Sequence, residues 1–289
     1  MLYGGKMKYD LEKMATFGVA GNFTGHLEQA HEALDFVNVQ VKEQNAPKAI
    51  FPTYLPETNK SNKTPEFLHT FPFDSQKIVY PENEQRIQIE PECALVFKTE
   101  WDNGLLKNLK PVCFGASNDC SIRKEGAKKI SQKKNWGKSS KGFSDTIIEC
   151  SDFTEDSLIN DYRIASFLVR DGKAFDYGED SAVRDYSYIY KKLIDWMIEK
   201  FNFQKDEGPA EALNQYLSES EYPEYMMVSI GATRYTDFGE HNFLQKNDFS
   251  VVIVYPESKY THEQILNIAK DTENQIIPSD ISALFQRVI

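Results

Sequence analysis

The sequence predicts an α+β fold, because strand-like and helix-like apolar patterns occur along the same 289-residue chain. From Ile87 to Phe97, apolar side chains occupy alternate positions, which is the repeat of a β-strand with one buried face. The run FSVVIVY, from Phe249 to Tyr255, is typical of a fully buried strand. From Ser187 to Phe201 the apolar residues follow helical spacing instead, and they predict an amphipathic helix.

Composition and charge narrow the class of protein. Apolar residues make up 40% of the chain and aromatic residues 13%, which predicts a folded protein and excludes a disordered one. The formal net charge of −11 argues against nucleic acid or a membrane surface as a partner. Neither a signal-peptide core nor an apolar run of about eighteen residues is present. The four cysteines lack C-x-x-C spacing, so we expect reduced thiols in a cytoplasmic protein.

The first third of the chain predicts a strand, a helix and an extended segment. Phe17 to Gly21 is a short apolar run that ends in glycine. In residues 22–37, apolar side chains recur at helical spacing, which predicts an amphipathic helix with Thr24 as its N-cap. The proline-containing segment from Ala46 to Pro56 is expected to be extended.

The elements after Ile87 are mostly strands. Asp102-Asn103-Gly104 predicts a turn into a second strand, Leu109 to Phe114, and Gly115 to Asn118 predicts a small-residue turn after it. The Asp171-Gly172 pair predicts another hairpin, with a short second strand. The segment after Ser258 is expected to be helical and then irregular. The remaining predicted elements are strands at Thr146–Cys150, Asp161–Arg170, Ala174–Tyr177 and Met226–Ile230, and a short helix at Ala210–Leu217.

Three carboxylates form a candidate metal site. Glu90 and Glu92 fall on the same face of the predicted strand, roughly 7 Å apart at the backbone, so both side chains can reach one cation. Asp119 follows the second strand. A set of three carboxylates suits a hard divalent ion, Mg²⁺ or Mn²⁺, better than zinc. The alternative is an ordinary strand whose glutamates face water.

The order of several short motifs resembles that of the fumarylacetoacetate hydrolase family, from Phe17 to about Val254. The matching segments are the E-x-E pair, the NDCSIR run that begins at Asn118, Lys141 in SSKGFSD, GATRYTDFGE, and the run from Leu244 to Asp248. The resemblance implies a mixed β-sheet roll with a helical N-terminal lid. It further implies one domain over residues 1–289, in which a lid and substrate-facing segment (1–75) packs on a metal-binding core (76–289), and a homodimer.

The resemblance also assigns roles to individual residues. The implied metal ligands are Glu90, Glu92 and Asp119. The implied catalytic residues are His26, Lys141, Gln29 and Glu28, and the implied substrate-binding residues are Asn22, Ser121, Arg123, Thr233 and Lys48. A capping or core-edge histidine remains the alternative for His26.

One position departs from the family pattern. Where the family has a glutamate that works with the histidine to activate water, this chain has Gln29. Glu28 is the nearest acid, but residues two apart do not share a helix face, so we expect Glu28 to point away from His26.

The resemblance implies a divalent-metal-dependent hydrolase or lyase that acts on a C–C bond of a small 2-oxo or 1,3-dicarbonyl carboxylic acid. Without the lid glutamate, a decarboxylase is favoured over a hydrolase. The alternative is a non-catalytic ligand-binding or interaction protein that keeps the fold. The basic stretch from Arg123 to Lys141 permits an RNA-binding interpretation, but in so acidic a chain a solvated face accounts for most of its lysines.

Overall fold

A computed structural model describes residues 9–30, 36, 43, 45–83, 86–124, 126–273 and 276–289. The described strands form two large sheets and a two-stranded ribbon, with short helices around them. Because strands and helices occur along the same chain, the α+β prediction is confirmed. Each large sheet contains both parallel and antiparallel neighbours, so both sheets are mixed.

The first sheet carries the long central hairpin. In spatial order its strands are β2 (Ala49–Tyr54), β1 (Ala15–Ala20), β12 (Tyr225–Ser229), β5 (Pro91–Asp102), β6 (Leu105–Asn118) and β8 (Gly142–Phe143), with β9 (Ile148–Glu149) also pairing with β6. The pair β1–β12 is parallel, and the other neighbours are antiparallel.

The second sheet and the ribbon use the remaining strands. The second sheet contains, in spatial order, β11 (Lys173–Ala182), β10 (Tyr162–Arg170), β13 (Phe249–Pro256), β14 (Ser282–Val288) and β3 (Lys77–Ile78). The ribbon pairs β4 (Ile87–Gln88) with β7 (Ser121–Ile122). The described α-helices are α1 (His26–Gln29), α2 (Ser131–Lys134), α3 (Tyr190–Phe203), α4 (Leu213–Glu219), α5 (Asp237–His241) and α6 (His262–Lys270). In the part of the chain that the structure describes, none of these helices has the length and apolar character needed to cross a membrane.

Both predicted hairpin turns are confirmed. Asn103 and Gly104 join β5 to β6 with φ angles of 51° and 76°, and Asp171 and Gly172 join β10 to β11 with φ angles of 51° and 71°. Two consecutive residues with positive φ match the twist of the flanking strands, and asparagine, aspartate and glycine tolerate this conformation best.

The strand predicted from Ile87 to Phe97 is interrupted and is buried on both faces. It forms β4 and the start of β5, with Ile89 and Glu90 between them. The alternating pattern separates two parts of the core: Cys93, Leu95 and Phe97 pack in the largest apolar cluster, and the residues between them pack in another. The prediction of one solvent-facing side is wrong, because other parts of the protein cover the second face as well.

The predicted turn at Gly115 to Asn118 is also wrong, because these residues continue β6 and pair with β5. Their small size has a packing reason. A Cβ atom on Gly115 would lie 2.9 Å from Oγ of Ser282 and 3.3 Å from the ring of Phe143. Close approach of neighbouring strands therefore requires the glycine.

Three other segments differ from prediction in more than the exact ends of an element. The described N-terminal helix is only α1, with Gly25 as its N-cap; Thr24 lies outside the helix, where its hydroxyl contacts that of Ser187 at 3.1 Å. The predicted continuation over residues 31–35 and 37 lies outside the described residues. The second strand of the Asp171-Gly172 hairpin is ten residues long, not short. The C-terminal segment ends in strand β14, where burial alternates along the chain.

Candidate active site

Three buried carboxylates meet where the central hairpin ends. Glu90 lies between β4 and β5, Glu92 lies in β5, and Asp119 follows β6. Each offers an oxygen within 4.8 Å of the others, and their relative exposures are 3%, 1% and 2%. The backbone fixes the arrangement, because the Asp119 amide donates to the Glu90 carbonyl at 3.0 Å and the side chain of Asn118 accepts from the Glu90 amide at 3.1 Å. The E-x-E strand and the Asn-Asp segment are thus brought together.

Three basic side chains surround these carboxylates. Nζ of Lys134 lies 2.5 Å from Oε2 of Glu90 and 2.7 Å from Oδ2 of Asp119. A guanidinium nitrogen of Arg123 lies 2.8 Å from Oε1 of Glu90, and Nζ of Lys141 lies 2.9 Å from Oδ1 of Asp119. Buried charges are costly unless they are paired. When all three acids are ionised, their formal charges and those of the three bases balance.

The pKa values of two glutamates move in opposite directions. Burial alone would raise the pKa of Glu90, but Lys134, Arg123 and His26 together lower it well below 4.5. Burial raises the pKa of Glu92 well above 4.5, and the nearby charge of Asp119 adds to this effect. An oxygen of Glu92 accepts a hydrogen bond from the Gly231 amide at 2.7 Å. Glu90 is therefore held as a carboxylate, whereas Glu92 retains its proton to higher pH.

The donor set of this cluster fits a hard divalent ion. Carboxylate oxygens are the ligands that Mg²⁺ and Mn²⁺ prefer, and Glu90, Glu92 and Asp119 could hold such an ion. In the structure described here, the ammonium of Lys134 supplies the positive charge between Glu90 and Asp119.

His26 lies in the first turn of α1 and is 5% exposed. Its Nδ1 lies 2.8 Å from the Thr233 carbonyl oxygen, and since a carbonyl can only accept, Nδ1 carries the proton. The ring packs at 5.1 Å from that of Tyr235. A positive charge on His26 would add to those of Lys134 and Arg123 in lowering the pKa of Glu90.

Gln29 forms hydrogen bonds within the protein, whereas Glu28 is exposed to solvent. The amide of Gln29 bonds to the backbone of Tyr235, accepting from its nitrogen at 2.9 Å and donating to its oxygen at 3.1 Å. The same amide nitrogen donates to Glu240 at 3.2 Å. Glu28 is exposed to solvent, as expected from its place on the helix. The side chain of Gln29 therefore holds the backbone at Tyr235 against helix α1.

Two of the residues assigned to substrate binding, Asn22 and Ser121, form hydrogen bonds within the protein. The amide of Asn22 accepts from the Tyr188 nitrogen at 2.9 Å and donates to the carbonyls of Tyr188 and Ile230 at 3.0 and 2.8 Å. Asn22 therefore ties the end of β1 to the segments beside β12 and α3. The hydroxyl of Ser121 donates to the Asp119 carbonyl at 3.4 Å and lies beside the carboxylates.

Of the remaining three candidates, Arg123 contacts Glu90, and Thr233 and Lys48 lie against glycines. A Cβ atom on Gly178 would lie 3.1 Å from Oγ1 of Thr233, and a Cβ atom on Gly21 would lie 3.1 Å from Cγ of Lys48. Thr233 is fully buried, and its Oγ1 has no hydrogen-bond partner among the described residues. Lys48 is half-buried.

Sequence reasoning missed Lys134. It lies in the basic stretch, where a solvated face was expected, yet its side chain is only 3% exposed. The expectation holds for Lys128 and Lys138, which are exposed, but not for Lys133 and Lys134. The available signal was Ile130, four residues before Lys134 and so on the same face of a helix.

Comparison with solved structures shows the fold. Cg1458 with an inhibitor is 13% identical, with 95% of this chain and 76% of that chain covered and a TM-score of 0.57. 2-Keto-3-deoxy-D-arabinonate dehydratase, solved with magnesium and 2,5-dioxopentanoate, is 14% identical, with 95% and 72% covered and a TM-score of 0.51. An isomerase of 2-hydroxyhepta-2,4-diene-1,7-dioate from Mycobacterium marinum is 11% identical, with 95% and 74% covered and a TM-score of 0.50. The mixed β-sheet roll that the resemblance to the fumarylacetoacetate hydrolase family implies is therefore confirmed.

Sequence comparison adds a family but no activity. Curated proteins give no match to the chain. A family of unknown function, DUF5718, matches residues 32–288. Because the match spans most of its length, the chain belongs to the DUF5718 family.

Proposed function

We propose that this DUF5718 protein is an enzyme that binds Mg²⁺ or Mn²⁺ through Glu90, Glu92 and Asp119 and acts on a small 2-oxo or 1,3-dicarbonyl carboxylate. The observation that carries the proposal is the buried cluster of these three carboxylates. Support comes from the fold, which is shared with a dehydratase solved with magnesium and a 2-oxo acid, 2,5-dioxopentanoate.

Arg123, Lys141 and His26 would have separate roles beside the bound ion. The bound ion would supply Lewis acidity toward adjacent oxygens of the substrate. Arg123 holds one oxygen of Glu90 and Lys141 holds one oxygen of Asp119, so each base fixes the orientation of one carboxylate. His26 holds a proton at Nδ1 toward the Thr233 carbonyl, and this bond sets the orientation of its ring. His26 is therefore the proposed acid or base.

The bonds of Gln29 bear on the type of reaction. Its amide is used by Tyr235 and Glu240 and has no basic atom to take a proton from water. General acid–base catalysis is worth about 10²–10⁴ in rate. Hydrolysis would therefore be slowed by the loss of the glutamate that works with the histidine to activate water. Decarboxylation needs no activated water: the C–C bond electrons stay on the substrate, CO₂ leaves, and a proton is added afterwards. We therefore place decarboxylation or enol–keto exchange ahead of hydrolysis.

A matched assay tests this proposal. Loss of oxaloacetate and of an acylpyruvate would be followed with Mn²⁺, for the wild type and for Glu92→Gln at equal metal concentration. Free Mn²⁺ gives the same background in both samples. The expected result is oxaloacetate loss well above that background in the wild type only, with little acylpyruvate hydrolysis. Equal rates in the two proteins would contradict the proposal.

A further inference from the structure

We propose that the ammonium of Lys134 occupies the place of the divalent ion in the metal-free protein, so that an ion binds only when Lys134 leaves. This inference rests on the proposed function, because it concerns the same carboxylates. It gives Lys134 a role that neither the fold nor the family match assigns.

The contacts of each oxygen point to competition. One oxygen of Glu90 is taken by Arg123 and one oxygen of Asp119 by Lys141, while Lys134 bridges the remaining oxygen of each at 2.5 and 2.7 Å. Glu90 and Asp119 would hold an ion through carboxylate oxygens that are not already paired with Arg123 or Lys141. Those oxygens already bond to Lys134.

Charge balance gives a second, independent reason. Ligation of an ion requires all three acids to be ionised, and the three acids and three bases are then formally neutral together. A divalent ion added to them would leave two buried positive charges. Departure of Lys134 reduces the excess to one charge. A substrate carboxylate would remove that one as well. Competition with Lys134 therefore favours binding of ion and carboxylate together.

The contacts that anchor helix α2 do not involve the ammonium of Lys134. Helix α2 is held at one end by Ser131, whose hydroxyl donates to Glu211 at 3.0 Å. At the other end, the side-chain amide of Asn135 donates to the carbonyls of Thr53 and Thr70, both at 2.9 Å. A lysine side chain has a flexible four-carbon stem, so departure of its ammonium does not require these anchors to break.

Chemical modification of the wild type tests displacement directly. Lysines would be acetylated briefly with and without saturating Mn²⁺, and modification would be mapped by mass spectrometry. Lys134 should be protected without Mn²⁺ and modified at least about tenfold faster with it. Lys138, which is exposed, should react equally in both samples and serves as the control. Protection of Lys134 that persists with Mn²⁺ bound would overturn the inference.

Substitution tests the competition. Mn²⁺ affinity would be measured by calorimetry for the wild type, Lys134→Met and the exposed control Lys138→Met. We expect Lys134→Met to bind Mn²⁺ at least about tenfold more tightly, and Lys138→Met to match the wild type. If Lys134→Met is poorly folded without metal, Lys134→Gln keeps a hydrogen-bond donor there and replaces it in the same comparison.

The outcomes separate this inference from the proposed function. Equal Mn²⁺ affinity in the wild type and Lys134→Met would overturn the inference and leave the metal site in place. Binding by Lys134→Met alone would support the inference and contradict a metal-dependent wild type. Binding by neither protein would overturn both.

Discussion

The side chain of Gln29 and the backbone of Tyr235 form a closed pair of hydrogen bonds, with Oε1 accepting at 2.9 Å and Nε2 donating at 3.1 Å. An amide satisfies both partners, whereas an ionised carboxylate cannot donate to a carbonyl. The glutamine at this position, which departs from the family pattern, therefore has a structural explanation. It holds the segment that follows Thr233 against α1.

The first prediction concerns Gln29→Glu. The new carboxylate would face the Tyr235 carbonyl and Glu240 without a proton to donate, so we expect a loss of about 1–3 kcal/mol in the free energy of unfolding. Urea denaturation measures it, with Glu28→Gln at an exposed site as the matched control.

The same pair of variants tests the catalytic argument. We expect slow acylpyruvate hydrolysis in the wild type and no change in Glu28→Gln. Fast hydrolysis in the wild type that is lost in Glu28→Gln would show that Glu28 is the base. It would contradict the inference that Glu28 points away from His26.

The second prediction concerns Glu211, whose pKa is raised to about 7 by burial. The folded state then holds a proton that the unfolded state releases near pH 4.5, so this group's contribution to stability falls as pH rises from 4.5 through 7. We expect the wild type to lose about 2–3 kcal/mol from this source between about pH 5 and pH 8.

Comparison with Glu211→Gln isolates this contribution. The amide is neutral throughout, so the difference in unfolding free energy between the two proteins should change with pH in that window. The exposed Glu207→Gln variant should keep the wild-type pH dependence. A wild type and a Glu211→Gln variant with parallel pH profiles would refute the prediction.

The third prediction concerns the cysteines, which are all free thiols in the structure. Burial raises the pKa of Cys113, Cys120 and Cys150 to about 12 and that of Cys93 well above 9. Because the thiolate is the reactive form, we expect little reaction with a thiol reagent near pH 8 in the native protein and four thiols after denaturation. Two or fewer thiols in the denatured, anaerobically handled protein would be inconsistent with this account.

The sequence predicted those parts of the fold that have local causes. Alternation, helical spacing and the Asn103-Gly104 pair identified strands, α3 and a turn, because each depends on neighbouring residues. Burial of both faces of β5 was missed, since it depends on distant segments that cover the sheet. The strand at Ser282–Val288 was missed for a related reason, because pairing with β13 and β3 defines it.

The candidate site was predicted unevenly. Glu90, Glu92 and Asp119 were identified from spacing and motif order, and the structure brings them together. Lys134 was not identified, because its position between Glu90 and Asp119 depends on how α2 packs against β2 and β7 and not on its neighbours in sequence.

Mn²⁺ binding to the wild type and to Glu92→Gln decides whether the three buried carboxylates form a metal site. The substitution keeps the size of Glu92 and its acceptor for the Gly231 amide, but removes one carboxylate from the cluster. Both proteins would first be compared for folding by circular dichroism and then titrated with Mn²⁺ by calorimetry. We expect the wild type to bind one ion and Glu92→Gln to bind it at least about tenfold more weakly. Equal affinities, or no binding by a folded wild type, would contradict it.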